Sequence, residues 1–264
     1  MTRNEVVAQK HHCLNAVRRP FYTPLTIQTS RNRGEIPVHH TSMQTNIDRF
    51  LADQQRYFSG SHNQFLAFGG PCVYFHEQCL AAGAENFLSL RHIEMLYATL
   101  TAWGMHRMGD SNKAKTRLTN WLPFHASLVS QTEGLQQFKG LRMSELSESE
   151  YSAAILRLKT HYAALKLSIS DATIVVNSKA FHHLFPDLIP PIDRQYTVRF
   201  FSQAPERWLD SSGKFRTVQL PQNIDDQFHL FHTTCLAIKR LANQVDPDLL
   251  RLERERSQVS TPKA

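Results

Sequence analysis

Apolar residues recur at spacings of three and four along most of this chain, and that one regularity restricts it most. Ile93, Leu96, Leu100 and Trp103 form such a stripe within residues 90 to 108. Ile155, Leu158, Tyr162 and Leu165 form a second, and Ile224, Phe228, Phe231, Cys235, Ile238 and Leu241 a third. Each stripe lies on one side of an α-helix and needs a partner surface to bury it. Residues 46 to 58 read as a further helix. In "FGGPCVYFHEQCLAAG" a Gly-Gly turn is followed by Pro71 at a first helical position, and Gly83 reads as the end of that helix. Strand signals are scarce, the best being "FRTVQL" at 215 to 220. The expectation is an all-α protein, a compact multi-helix bundle with a short irregular or β excursion between 204 and 222.

Three regions follow. Residues 1 to 45 hold six Arg and Lys against two Glu, with three prolines and two His-His pairs, and read as a basic, partly ordered arm. Residues 46 to 245 read as the helical domain, as one body or as two lobes with a cleft between them. Residues 246 to 264 read as a polar, fraying tail. At 264 residues the chain is long enough to bury a substantial core. A formal charge of +7 favours polyanionic partners, nucleic acid first. Four cysteines without a CxxC pair argue against a disulfide scaffold. With no secretory apolar block and no apolar run of about 18 residues, the expectation is a soluble, cytoplasmic protein without a membrane partner.

Several chemistries lack their motifs. GxxxxGKS, GxGxxG, GxSxG and HExxH are all missing. Cys72, His76 and Cys79 share one helical face, but zinc sites usually draw ligands from separated elements. Neither a metal nor another cofactor is expected.

The stretch "NSKAFHHLFPDLIPPIDRQYT", residues 177 to 197, stands apart. A helical run, with Ser170 or Asp171 as a possible N-cap, must stop before Pro186. The prolines then hold the following residues with little slack, and Asp193 is placed as the N-cap of the next helix, its carboxylate on the amides of Gln195 and Tyr196. A carboxylate at a helix N-terminus is stabilised as the anion. With an oxygen facing a cleft, it can stabilise a cationic sugar or activate water, as cleavage at an anomeric carbon requires.

This segment resembles the helix–turn–Asp–helix element of the helix-hairpin-helix DNA glycosylase superfamily. "PPIDRQYTVRFF" supplies the loop, the aspartate and the helix after it. The resemblance covers residues 170 to 203 and extends weakly over 47 to 245. It implies an all-α glycosylase-like bundle and cleavage of the N-glycosidic bond of a flipped-out damaged or modified base in double-stranded DNA, leaving an abasic site. The role would be DNA repair or defence against modified foreign (phage) DNA. It assigns catalysis to Asp193, with Lys179 beside it as a pocket or phosphate residue. Lys179 lies fourteen residues before Asp193, about a helical turn nearer than the family's Schiff-base lysine, which favours a monofunctional, water-using enzyme. The family's glycine-rich hairpin is replaced by "LSISDATIVVNSK", and its iron–sulfur cysteines have no match. DNA contacts are then expected from Ser170, Thr173, Asn177, Ser178, Arg107, Arg194, Tyr196 and Arg199. The wall reading the base would hold Tyr74, His76, Glu77, Trp103 and His106. The competing reading is a non-catalytic DNA- or RNA-binding protein on the same helical scaffold.

Overall fold

The computed structural model describes residues 41–66, 71–105, 118–170 and 173–259. Most of the basic arm, together with His106 and Arg107, therefore lies outside the described residues. Among those described, the regular structure is helical, and β pairing is limited to the isolated bridges Leu118–Ser168 and Leu209–Phe215. The second bridge is all that remains of the strand expected near 215.

The chain divides into two units. One comprises residues 1–70 and 244–264 and holds α1 (Thr41–Ala52), α2 (Gln54–Leu66) and α12 (Pro247–Val259). The single helix expected at 46 to 58 is broken by a turn at Asp53, which separates α1 from α2. The expected fraying tail is instead largely the helix α12. The Asp246 amide just before it donates to Gln54 Oε1 at 2.9 Å, which ties the start of α12 to α2.

The other unit, residues 71–243, contains α3 (Cys72–Glu85), α4 (Leu90–Ala102), α5 (Trp121–Val129), α6 (Thr132–Gln136), α7 (Glu148–Arg157), α8 (Lys159–Ala164), α9 (Ile174–Leu184), α10 (Arg199–Ser202) and α11 (Ile224–Ala242). Its hub is α9. Ten of its eleven residues are buried, so the helix is enclosed on all sides rather than amphipathic. It packs on α3, α4 and α11, while α11 also covers α7 and α8. Phe181, Tyr162, Phe228 and Phe231 meet there with ring centroids 5.3 to 6.4 Å apart.

Gly83 does not end α3. It lies inside the helix where the buried His92 ring of α4 crosses it, and a Cβ there would stand 2.6 Å from His92 Cε1. The glycine is a close-approach residue that lets the two helices meet. The end of α4 falls to Gly104, at φ +76°, a left-handed conformation suited to glycine. The Asp193 helix is also unusual. Residues Arg194–Val198 form a π-turn, closed by the Val198 amide on the Asp193 carbonyl at 3.0 Å, before α10 continues as an α-helix. Single π-turns of this kind are rare and concentrate at functional sites.

Candidate active site

Four elements of the larger unit converge on a few polar side chains. From α9 come Lys179, His182 and His183, whose spacing of three and four puts them on one face. His76 comes from α3, Trp103 from the end of α4, and Asp193 from the head of the π-turn.

The loop before Asp193 is fastened to α9 by side chains. The Ser178 hydroxyl accepts the Ile192 amide at 3.3 Å and lies 3.2 Å from the carbonyl oxygens of Val175 and Ile192. His182 Nδ1 donates to the Ile189 carbonyl at 2.8 Å, and the buried Tyr151 hydroxyl donates to the Leu188 carbonyl at 3.0 Å. With Pro190 and Pro191 fixing φ, these bonds set the position of Asp193.

Asp193 splits its carboxylate between two tasks. Oδ1 accepts the amides of Gln195 at 2.7 Å and Tyr196 at 3.2 Å, the N-cap expected from the sequence. Oδ2 faces the Lys179 ammonium at 3.9 Å, and 36% of the carboxylate side chain stays accessible to solvent. Lys179 itself is only 7% exposed. Its Nζ lies 5.3 Å from the centre of the Trp103 ring, where the π face attracts a cation. The Trp103 ring meets His183 edge-on at 4.7 Å. Its Nε1–H is buried with no hydrogen-bond acceptor among the described residues.

The three histidines form a tight group. His76 Nδ1 and His183 Nδ1 are 2.8 Å apart, and the His76 and His182 rings stack at 5.6 Å. Burial lowers the pKa of all three, that of His182 to about 4 despite its bond to Ile189, so they are neutral at pH 7. His183 is lowered furthest, first by burial and then by His182, His76 and Lys179 around it.

The remaining expected residues separate into groups. Tyr74 is 56% exposed and two residues from His76, so it points about 200° around α3 from the histidines, away from the site. Glu77 is half-buried on α3. Asn177 is fully buried and donates to the Tyr162 carbonyl at 3.1 Å. Ser178 is also fully buried. Neither offers a surface to DNA, because α9 is enclosed all round. Thr173 gives its amide and hydroxyl to Gln227 Oε1, which also accepts the Ile174 amide and so caps α9 from α11. Arg199 is 4% exposed; it stacks over Phe215 and hydrogen-bonds Gln195 and the Arg216 carbonyl, a structural role in place of a phosphate contact. Ser170 and Arg194 are half-buried and Tyr196 is exposed, so these keep a route to solvent. Cys72 Sγ donates to the Ala102 carbonyl at 3.1 Å and Cys79 is wholly buried, which leaves His76 as the one member of that helical face in the cluster.

Comparison with known proteins identifies no relative. No family model matches the chain, and neither the curated proteins nor the solved structures contain a match.

Two features here lack a plain sequence signal. His182 and His183 join a histidine 107 positions away from the second of them. Gln227 caps a helix to which it does not belong. The signal that could have marked the α9 side is the polar set Lys179, His182 and His183 at i, i+3 and i+4 in an apolar run, of which the sequence reading singled out Lys179 alone.

Proposed function

We propose that this chain is a DNA N-glycosylase that removes a flipped-out damaged or modified base, with Asp193 as its central carboxylate. One observation carries the reading. Asp193 spends one oxygen on the helix and turns the other to the Lys179 ammonium, itself over the Trp103 ring, on a side chain that stays partly accessible.

The chemistry suits that arrangement. As the bond between C1′ and the base nitrogen breaks, its electron pair leaves with the base and positive charge builds on the sugar. The Asp193 Oδ2 anion stabilises that charge and accepts a proton from the water that adds to C1′. The departing base takes up a proton, and an abasic sugar remains. The capping amides stop the carboxylate from rotating. Lys179 holds Oδ2 in place and lends positive potential for the phosphates flanking an extruded nucleotide. Extrusion costs a few kcal/mol, least for a base that already pairs poorly.

The 3.9 Å separation supports a second, bifunctional reading in which Lys179 attacks C1′ after passing a proton to Oδ2. Borohydride separates the two. A covalent protein–DNA adduct that disappears in Lys179→Gln identifies the amine as nucleophile, and base release without an adduct identifies water.

The test of the proposal is incubation of the full chain with duplexes carrying alkylated, oxidised, deaminated and hypermodified bases. The expected result is free base together with alkali-labile sites on at least one of them. Binding without base release on every such duplex would leave a helical nucleic-acid-binding protein.

A further inference from the structure

We infer that His76, His182 and His183 form a binding site for one divalent transition-metal ion of the zinc class, held between α3 and α9. The inference goes beyond the glycosylase reading and does not depend on it.

The geometry comes first. One ring nitrogen from each histidine lies within 4.8 Å of those of the other two. Three imidazole nitrogens around tetrahedral zinc, at about 2.0–2.1 Å from the ion, stand roughly 3.3 Å apart. The His76–His183 pair at 2.8 Å needs a small opening, and His182 needs a small approach. Both are side-chain adjustments. The ligands also come from two helices, unlike the Cys72–His76–Cys79 face, and a site spanning separate elements is the usual arrangement.

The outer hydrogen bonds are those of a metal ligand. Because His182 Nδ1–H is spent on the Ile189 carbonyl at 2.8 Å, Nε2 carries the lone pair. A backbone carbonyl fixing the far nitrogen is the common device for orienting a ligating histidine. The His76–His183 bond requires one Nδ1 to donate and the other to accept. Moving the His76 proton from Nδ1 to Nε2 frees the second lone pair without changing any ring's charge.

His183 is 1% exposed, so the Nδ1 it turns towards His76 is shielded from water. Three imidazoles grouped this closely, one buried and two half-buried, share a single hydrogen bond, between His76 and His183, and an electrophile among them can use a lone pair from each. Lys179 opposes a nearby cation, but its charge is offset by Asp193 Oδ2. Three protein ligands leave a fourth position for water, the composition of catalytic rather than structural zinc sites.

The test uses the full chain, freed of metal by a chelator and titrated with Zn²⁺ and, for its visible absorption, Co²⁺. The expected result is one high-affinity ion per chain and a tetrahedral Co²⁺ spectrum. His76→Gln and His182→Gln, both at partly exposed positions, should each weaken that binding by roughly 100-fold with an unchanged far-UV circular dichroism spectrum. The sequence also offers the pairs His11–His12 and His39–His40. A variant with all four changed to Gln should retain the ion. No tight ion in the parent chain, or full affinity in both His76→Gln and His182→Gln, overturns the inference.

Discussion

The division of labour within a single carboxylate is the feature on which Asp193 depends. An asparagine there keeps a capping oxygen for the Gln195 and Tyr196 amides but loses the charge facing Lys179, whereas alanine loses both. Asp193→Ala is therefore expected to be less stable than Asp193→Asn by about 1 kcal/mol, the usual worth of an N-cap. Urea denaturation checks this, and equal midpoints would mean that the cap carries no weight. The capping role of Asp193 was legible, because prolines followed by an acidic residue mark a helix start. The fates of Asn177, Ser178 and Arg199 were not. Polar side chains next to an expected DNA-binding element read as surface groups, yet each spends its hydrogen bonds inside the fold. Ser178 thereby gains a positioning role, holding Ile192 and the residue after it.

At the scale of elements, periodicity of three and four located α4, α7, α8 and α11, because amphipathic burial writes itself into local spacing. It could not locate the breaks. The turn at Asp53 and the π-turn after Asp193 arise from local bonding and from tertiary packing rather than from spacing. Gly83 carries the clearest lesson, since a glycine near a helix end reads as a terminator and here is a contact. Its substitution by alanine forces a methyl group against the buried His92 ring, whose Nδ1 accepts the Leu88 amide at 3.0 Å and cannot move without losing that bond. Overpacking of this kind costs about 1–3 kcal/mol. Gly83→Ala should show that loss in thermal or urea unfolding, although alanine is the better helix former; a stabilised variant would contradict the packing assigned to α3 and α4. The histidine cluster was the least legible feature, since nothing local in α3 marks it as the neighbour of α9.

Across the whole molecule, buried histidines make stability depend on pH. The folded-state pKa of His92 is lowered to about 4, by burial first and then by Lys139, and those of His182 and His183 are lowered as well. In the unfolded chain these groups titrate near 6.5. Below that pH the unfolded state binds more protons than the folded state, so stability is fully present above about 6.5 and falls as the pH drops towards 4. Each such histidine contributes a slope of up to about 1.4 kcal/mol per pH unit in that window. The urea midpoint should thus be clearly lower at pH 5 than at pH 7, and His92→Gln should flatten the dependence. An unchanged midpoint would show that the rings are solvated. No helix among the described residues is long and apolar enough to cross a membrane, and the formal +7 charge predicts that DNA binding weakens steeply with salt. A flat salt response in a filter-binding titration would remove phosphate contacts from the account.

The central claim is that the second oxygen of Asp193 performs the chemistry. Its most direct test is single-turnover release of a base from a modified duplex by the parent chain and by Asp193→Asn. The account predicts that the parent liberates free base and leaves an abasic site. Asp193→Asn should bind the duplex equally well and react about 10²–10⁴-fold more slowly, the range for loss of a catalytic acid–base group. Base release by Asp193→Asn at the parental rate would contradict it.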